Sequence, residues 1–203
     1  MELREALSHI AEIRAHVAVS EGFRGYRAFP VGVSGVLAVV VAIAQPFLVP
    51  DPGGDLPGYL TLWLATALAG AAAAASGIWW RWRTVDQPLS QQLTRLAVSQ
   101  FLPCLAAGGL VTLAVARHAP EAGWMLPGLW QVLFSLGIFA SCRLLPRPIL
   151  GVAIFYLACG TLNLAAHTAS SAYSPWGMAL PFGVGQLATA IILYWHLERR
   201  DDE

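Results

Sequence analysis

The sequence predicts an all-α integral membrane bundle: six transmembrane helices behind a short amphipathic N-terminal helix. Three observations carry that prediction. Apolar residue types make up 57 % of the 203 residues and charged types only 12 %, against about 25 % charged in an ordinary soluble domain. With a mean hydropathy of +0.59, a disordered chain is excluded and a soluble enzyme disfavoured. Six continuous apolar stretches each approach the roughly 20 residues that a helix needs to cross the hydrocarbon core. The twelve basic residues, all arginine, alternate between connections as an even number of spans requires.

The first element is a charged arm, residues 1–29, with four Arg and four Glu. Leu3, Ala6, Ile10, Ile13 and Val17 recur at three- and four-residue spacings and share one helical face. Glu5 and Glu12 stand four residues before His9 and His16, so each pair attracts once the His is protonated. Two readings fit the arm: a helix lying on the inner membrane surface, or a short coiled-coil seam to a partner or a second copy. No short apolar region follows Met1, so a cleavable signal is not expected and the first span is read as an anchor. The arm ends in Phe23-Arg24-Gly25-Tyr26-Arg27. Arg24 and Arg27 are candidates to meet anionic lipid headgroups.

The expected spans are Val31–Val49, Gly58–Trp80, Leu96–Ala116, Trp124–Cys142, Ile149–Ser170 and Met178–Trp195, none with Asp, Glu or Arg in its interior. The second contains an almost pure alanine run, Leu68–Ser76, extended to spanning length by Leu60, Leu62, Trp63, Leu64, Ile78, Trp79 and Trp80. Barrel strands are disfavoured, because they alternate in polarity every residue and these runs do not. The connections (50–57, 81–95, 117–123, 143–148 and 171–177) are too short to hold a folded domain. The expected organisation is thus an arm, one membrane domain over residues 30–196, and a tail over 197–203.

Sorted by connection, eleven Arg fall on the side of both termini and one, Arg117, on the other. The positive-inside rule assigns the eleven to the cytoplasm, and the expected location is a bacterial cytoplasmic membrane. Arg81 and Arg83 join the headgroup candidates on that side. The acids follow the same division, nine with the eleven Arg and three (Asp51, Asp55 and Glu121) opposite. The net charge of zero is the sum of two unlike faces. Trp79, Trp80, Trp82 and Trp195 fall at the inner boundary, Trp124 and Trp176 at the outer one, and Trp63 and Trp130 slightly deeper. All are read as interfacial anchors.

Ionisable groups inside a membrane are functional candidates by default. His167 is the one such group, with Asn163 four residues earlier on the same face. Gln45, Gln131 and Gln186 sit in the outer half or near the midplane of their spans. Together these five either line an outward-facing polar pocket or serve as hydrogen-bonding glue between helices. Gly32-Val33-Ser34-Gly35 is similar to the nucleophile motif of rhomboid intramembrane proteases. Ser34 and His167, however, differ in depth by about 20 Å at 1.5 Å per residue, far beyond the roughly 3 Å of a nucleophile–base pair. Close helix approach is the preferred reading of Ser34 and Gly35.

Five scattered His and three isolated Cys (Cys104, Cys142 and Cys159) offer no clustered ligands for a metal. No phosphate loop, dinucleotide fingerprint or basic nucleic-acid surface is present in the sequence. Neither cofactor, metal nor nucleic acid is therefore expected. Small residues form ladders at Ala65, Ala69, Ala73 and Gly77 in the second span, Ala106 and Gly109 in the third, and Ser34, Ala38 and Ala42 in the first. Such faces let helices approach, so the second span is expected to be central or to form a self-association seam. Pro46 and Pro103 are candidate kinks.

Three stretches together resemble a group of short bacterial six-helix inner-membrane proteins with a charged N-terminal helix. They are FRGYRAFPVGVSGVLAVVV (23–41), LGIFASCRLLPRPILGVAIFYLACG (136–160) and LPFGVGQLATAIILYWHLER (180–199). That group has no established activity, so the resemblance implies a fold and no chemistry. The function expected from the residues is non-enzymatic: binding as a sensor, regulator or assembly partner, with the arm making the contact. The alternative is a small transporter or a lipid or small-solute binder using the polar pocket.

Overall fold

The computed structural model describes residues 28–84, 88–165 and 172–198. Those residues form six helices: α1 (Ala28–Leu48), α2 (Leu56–Thr84), α3 (Pro88–His118), α4 (Leu126–Ser141), α5 (Ile149–Ala165) and α6 (Pro175–Leu193). A 3-10 turn, Pro120–Met125, leads into α4, another, Cys142–Leu144, leaves it, and a π-helical turn, Tyr194–Glu198, follows α6. Pro127 and Pro175 open α4 and α6, where a missing N–H costs no helical hydrogen bond. Pro46 and Pro103 lie inside continuous helices.

Five stretches are long and apolar enough to cross a membrane: Ala28–Leu48, Leu56–Trp80, Thr94–His118, Pro120–Leu144 and Pro175–His196. The sixth apolar helix, Ile149–Ala165, has 17 residues and is shorter than the expected Ile149–Ser170. The remainder of that expectation falls on residues 166–171, outside the described residues. So do the arm up to residue 27, with Arg24 and Arg27, and the tail from residue 199. The expected connection over 81–95 is largely helical, since α2 runs to Thr84 and α3 starts at Pro88. Hydropathy marks where lipid ends, but a helix of good formers continues past that plane.

The ladders of contact give the spatial order α2–α1–α6–α5–α4–α3. Helices α1 and α6 make the most extensive pairing, followed by α4 and α5. At the first of these crossings a Cβ on Gly35 would lie only 3.2 Å from the Gly183 carbonyl oxygen. Helix α2 leans on α1 alone along most of its length, with Gly70 against Ser34 and Gly77 against Pro30. Ser34 Oγ donates within its own turn, to the Val31 carbonyl at 2.7 Å. The close-approach reading of Ser34 and Gly35 therefore matches the packing.

Of the two readings of the second span, central or a self-association seam, the central one is corrected. Helix α2 stands at one end of the row, and among its described side chains the buried ones, Tyr59, Leu60 and Trp63, all lie in its first third. Ala65 and Ala69 of its ladder are exposed. Within an apolar solvent, a ladder of small side chains permits a neighbour but does not summon one. The ladder in α1 is used, with Ala38 and Ala42 buried. Ala106 and Gly109 in α3 face outward, and nothing lies within 4 Å of a Cβ placed on Gly109. We expect Gly109→Ala to leave the melting temperature unchanged or raise it slightly, by the helix propensity gained; a thermal melt in detergent checks this.

Candidate functional site: a polar layer at one end of the bundle

The end of the bundle that carries α1's C-terminus holds a layer of buried polar side chains. Gln45, 1 % exposed, lies three residues before the end of α1. Its Nε2 donates to the Tyr173 carbonyl oxygen at 2.9 Å. Its Oε1 accepts from Trp63 Nε1 of α2 at 3.0 Å. One amide thus ties α1 to α2 and to the connection before α6. The Tyr59 ring packs edge-on against Tyr173, centroids 5.0 Å apart, and closes the layer from α2. Burial raises the phenol of Tyr173 above its ordinary range.

Gln131, fully buried on α4, repeats the arrangement one helix pair away. Its Nε2 donates to the Gly177 carbonyl oxygen of α6 at 2.8 Å. Asn163 of α5 donates to the same oxygen through Nδ2, at a longer 3.4 Å. Side chains of two helices therefore converge on one carbonyl of a third. Gln131 Oε1 is buried without a hydrogen-bond partner, and so is the hydroxyl of Tyr59. A third tie joins Trp130 Nε1 of α4 to Thr112 Oγ1 of α3 at 2.8 Å.

The five sequence candidates separate on this geometry. Gln131 and Asn163 meet at Gly177, and Gln45 engages Tyr173 in the same connection region. Gln186 stands nine residues further along α6 than Gly177, about 13 Å down the axis, beside Gly35 at the α1–α6 crossing. It does not belong to the layer. His167 lies outside the described residues. Alanine at Gln186 is expected to lower stability by less than about 1 kcal/mol, measurably less than alanine at Gln131; paired thermal melts compare them.

Trp63 and Trp130 are corrected from interfacial anchors to hydrogen-bonded packing residues. Trp63 is 4 % exposed and belongs to the same apolar core as Leu126 and Met178. Their partners, a glutamine amide and a threonine hydroxyl, explain the change, because an indole N–H needs an acceptor wherever it is buried. Trp79, Trp80, Trp176 and Trp195 are each more than half exposed, in keeping with a boundary position. Tyr59, Tyr173, Thr112 and the Gly177 carbonyl had no sequence signal. The one available hint was a tryptophan, Trp63, lying two turns inside its helix.

At the opposite end the described arginines gather: Arg81, Arg83, Arg95, Arg143 and Arg147, with Arg117 alone at the polar-layer end. Arg83 stacks on Trp79, its guanidinium carbon 4.8 Å from the ring centroid. The Arg81 side chain is outside the described residues. Among the described residues no three His, Cys, Asp or Glu gather as metal ligands. Cys104, Cys142 and Cys159 are free thiols.

No protein-family model matches this chain, and no curated protein or solved structure is significantly similar to it.

Proposed function

We propose that this chain is a non-enzymatic multi-pass protein of a bacterial cytoplasmic membrane, both termini cytoplasmic, that acts by binding as a sensor, regulator or assembly partner. One observation supports this reading above the alternative. Gln45, Gln131 and Asn163, which could have lined a solute path, donate instead to backbone carbonyls of α6 and of the connection before it. Groups engaged in that way hold a bundle together rather than exchange ligands. The amphipathic pattern of residues 3–17 supplies the surface for a cytosolic protein contact.

The test removes residues 1–20 from the full chain in its native membrane and compares co-purified proteins quantitatively. We expect a defined subset to be lost. An identical set with and without the segment would overturn the assignment. The alternative, a binder of a small polar solute, draws on the unpartnered Gln131 Oε1. A solute-dependent rise in melting temperature that Gln131→Leu removes would establish that alternative.

A further inference from the structure

Helices α2 and α3 follow one another with three residues between them, yet they scarcely pack together. At the polar-layer end Leu62 of α2 and Val111 and Val115 of α3 each pack against one apolar core. The connection joins them at the other end. Between these two points each turns to a different partner. Gly70 and Gly77 of α2 seat on α1, while Phe101 of α3 packs edge-on against Phe134 of α4, centroids 5.1 Å apart. The two helices thus bound a cleft without a packed seam, and each carries exposed apolar residues, such as Leu68 and Leu102.

Both helices carry an arginine toward the end that holds their connection, Arg83 on α2 and Arg95 on α3. Ser141 Oγ of α4 donates to the Ala97 carbonyl of α3 at 3.2 Å. That bond sets Arg95, two residues before Ala97, level with Arg143, two residues after Ser141. Arg83 stands on the facing helix, stacked on Trp79. Arg83, Arg95 and Arg143 are exposed and form no ion pair among the described residues. Helices that diverge in hydrocarbon must be covered by something apolar, and guanidiniums at headgroup level attract phosphate, which they bind in fork geometry.

We propose that the α2–α3 cleft is a site for an anionic phospholipid, with the headgroup phosphate on Arg83, Arg95 and Arg143 and an acyl chain along the cleft. The charge argues for a lipid rather than a second copy. Two chains related by a two-fold axis along the bundle would bring identical arginine clusters together, and juxtaposed like charges oppose association. This site rests on the membrane-spanning reading but not on the N-terminal contact, so the two stand or fall separately.

The test uses the full chain reconstituted in phosphatidylcholine vesicles. Dibrominated phosphatidylglycerol or dibrominated phosphatidylcholine is titrated in, and quenching of tryptophan fluorescence gives a relative affinity. We expect the anionic lipid to be preferred about tenfold. In the double variant Arg83→Gln/Arg95→Gln the ratio should fall to about one, while Arg117→Gln, at the other end, should leave it unchanged. A thermal melt of each variant verifies that it is folded. Equal quenching by both lipids in the parent chain would overturn the proposal, as would a preference that survives the double variant. A cross-linked dimer through α2 with no lipid preference would assign the cleft to a second copy, and overturn it equally.

Discussion

Gly160→Val is expected to destabilise the bundle by about 3 kcal/mol, the upper end of what overpacking costs. A Cβ at Gly160 of α5 would stand 2.9 Å from the Gly128 carbonyl oxygen and 2.9 Å from the Val132 backbone nitrogen of α4. It would also stand 2.8 Å from Val132 Cγ2. The relation is mutual, because a Cβ at Gly128 would stand 2.9 Å from the Gly160 carbonyl oxygen. Flexible side chains can rotate away from an added methyl group, but two helix backbones in contact cannot. The α4–α5 pair would have to separate. That separation would loosen the Gln131 and Asn163 bonds to Gly177, which need α4, α5 and α6 in register. Unfolding followed by intrinsic fluorescence in detergent should show a large downward shift. Gly151→Val, on the same helix but with nothing within 4 Å of its Cβ, should show little. Equal shifts at the two positions would mean that the backbone contact is not what holds α4 to α5.

Gln45→Leu is the second large effect, expected at about 2 kcal/mol. The average side-chain hydrogen bond between membrane helices is worth only about 0.6 kcal/mol, so the loss of bonds does not account for this. What remains behind does. The substitution strands the Trp63 indole N–H and the Tyr173 carbonyl, and a buried group without a partner costs roughly 1–3 kcal/mol. The double variant Gln45→Leu/Trp63→Phe removes one of the stranded groups. It should therefore be less destabilised than the sum of the two single variants, by 0.5 kcal/mol or more, as expected of residues in one network. Simple additivity in the melts would show that the two side chains are not coupled.

Gln45, Gln131 and Asn163 are legible in the sequence because polar side chains inside apolar runs must find partners. Their partners are not, because the acceptors are main-chain carbonyls of Tyr173 and Gly177. Every residue carries a carbonyl, so no residue type marks the one that is used. Gln186 looked equivalent to the others in hydropathy, yet it sits at a helix crossing about 13 Å lower. Depth along a helix can be read from spacing; the face toward which a side chain turns cannot, when the whole circumference is apolar. The same limit applies to Trp63 and Trp130. A tryptophan near a span's end satisfies the interfacial rule whether it faces headgroups or a neighbouring glutamine.

Composition, hydropathy and arginine placement suffice to establish that the chain is helical, apolar enough for a membrane, and divided into an arginine-rich end and an arginine-poor one. These properties follow from the exchange between water, headgroup and hydrocarbon, which acts on each segment separately. Which helix neighbours which became visible only in the packed bundle. Inside lipid there is no hydrophobic difference between a face that meets another helix and a face that meets an acyl chain. The choice falls to short-range fit: glycine against backbone at Gly160 and Gly35, and amide against carbonyl at Gln45 and Gln131. Such fits depend on both partners at once. That is why the alanine-rich α2, the best candidate for the centre by its sequence, lies at the edge of the row.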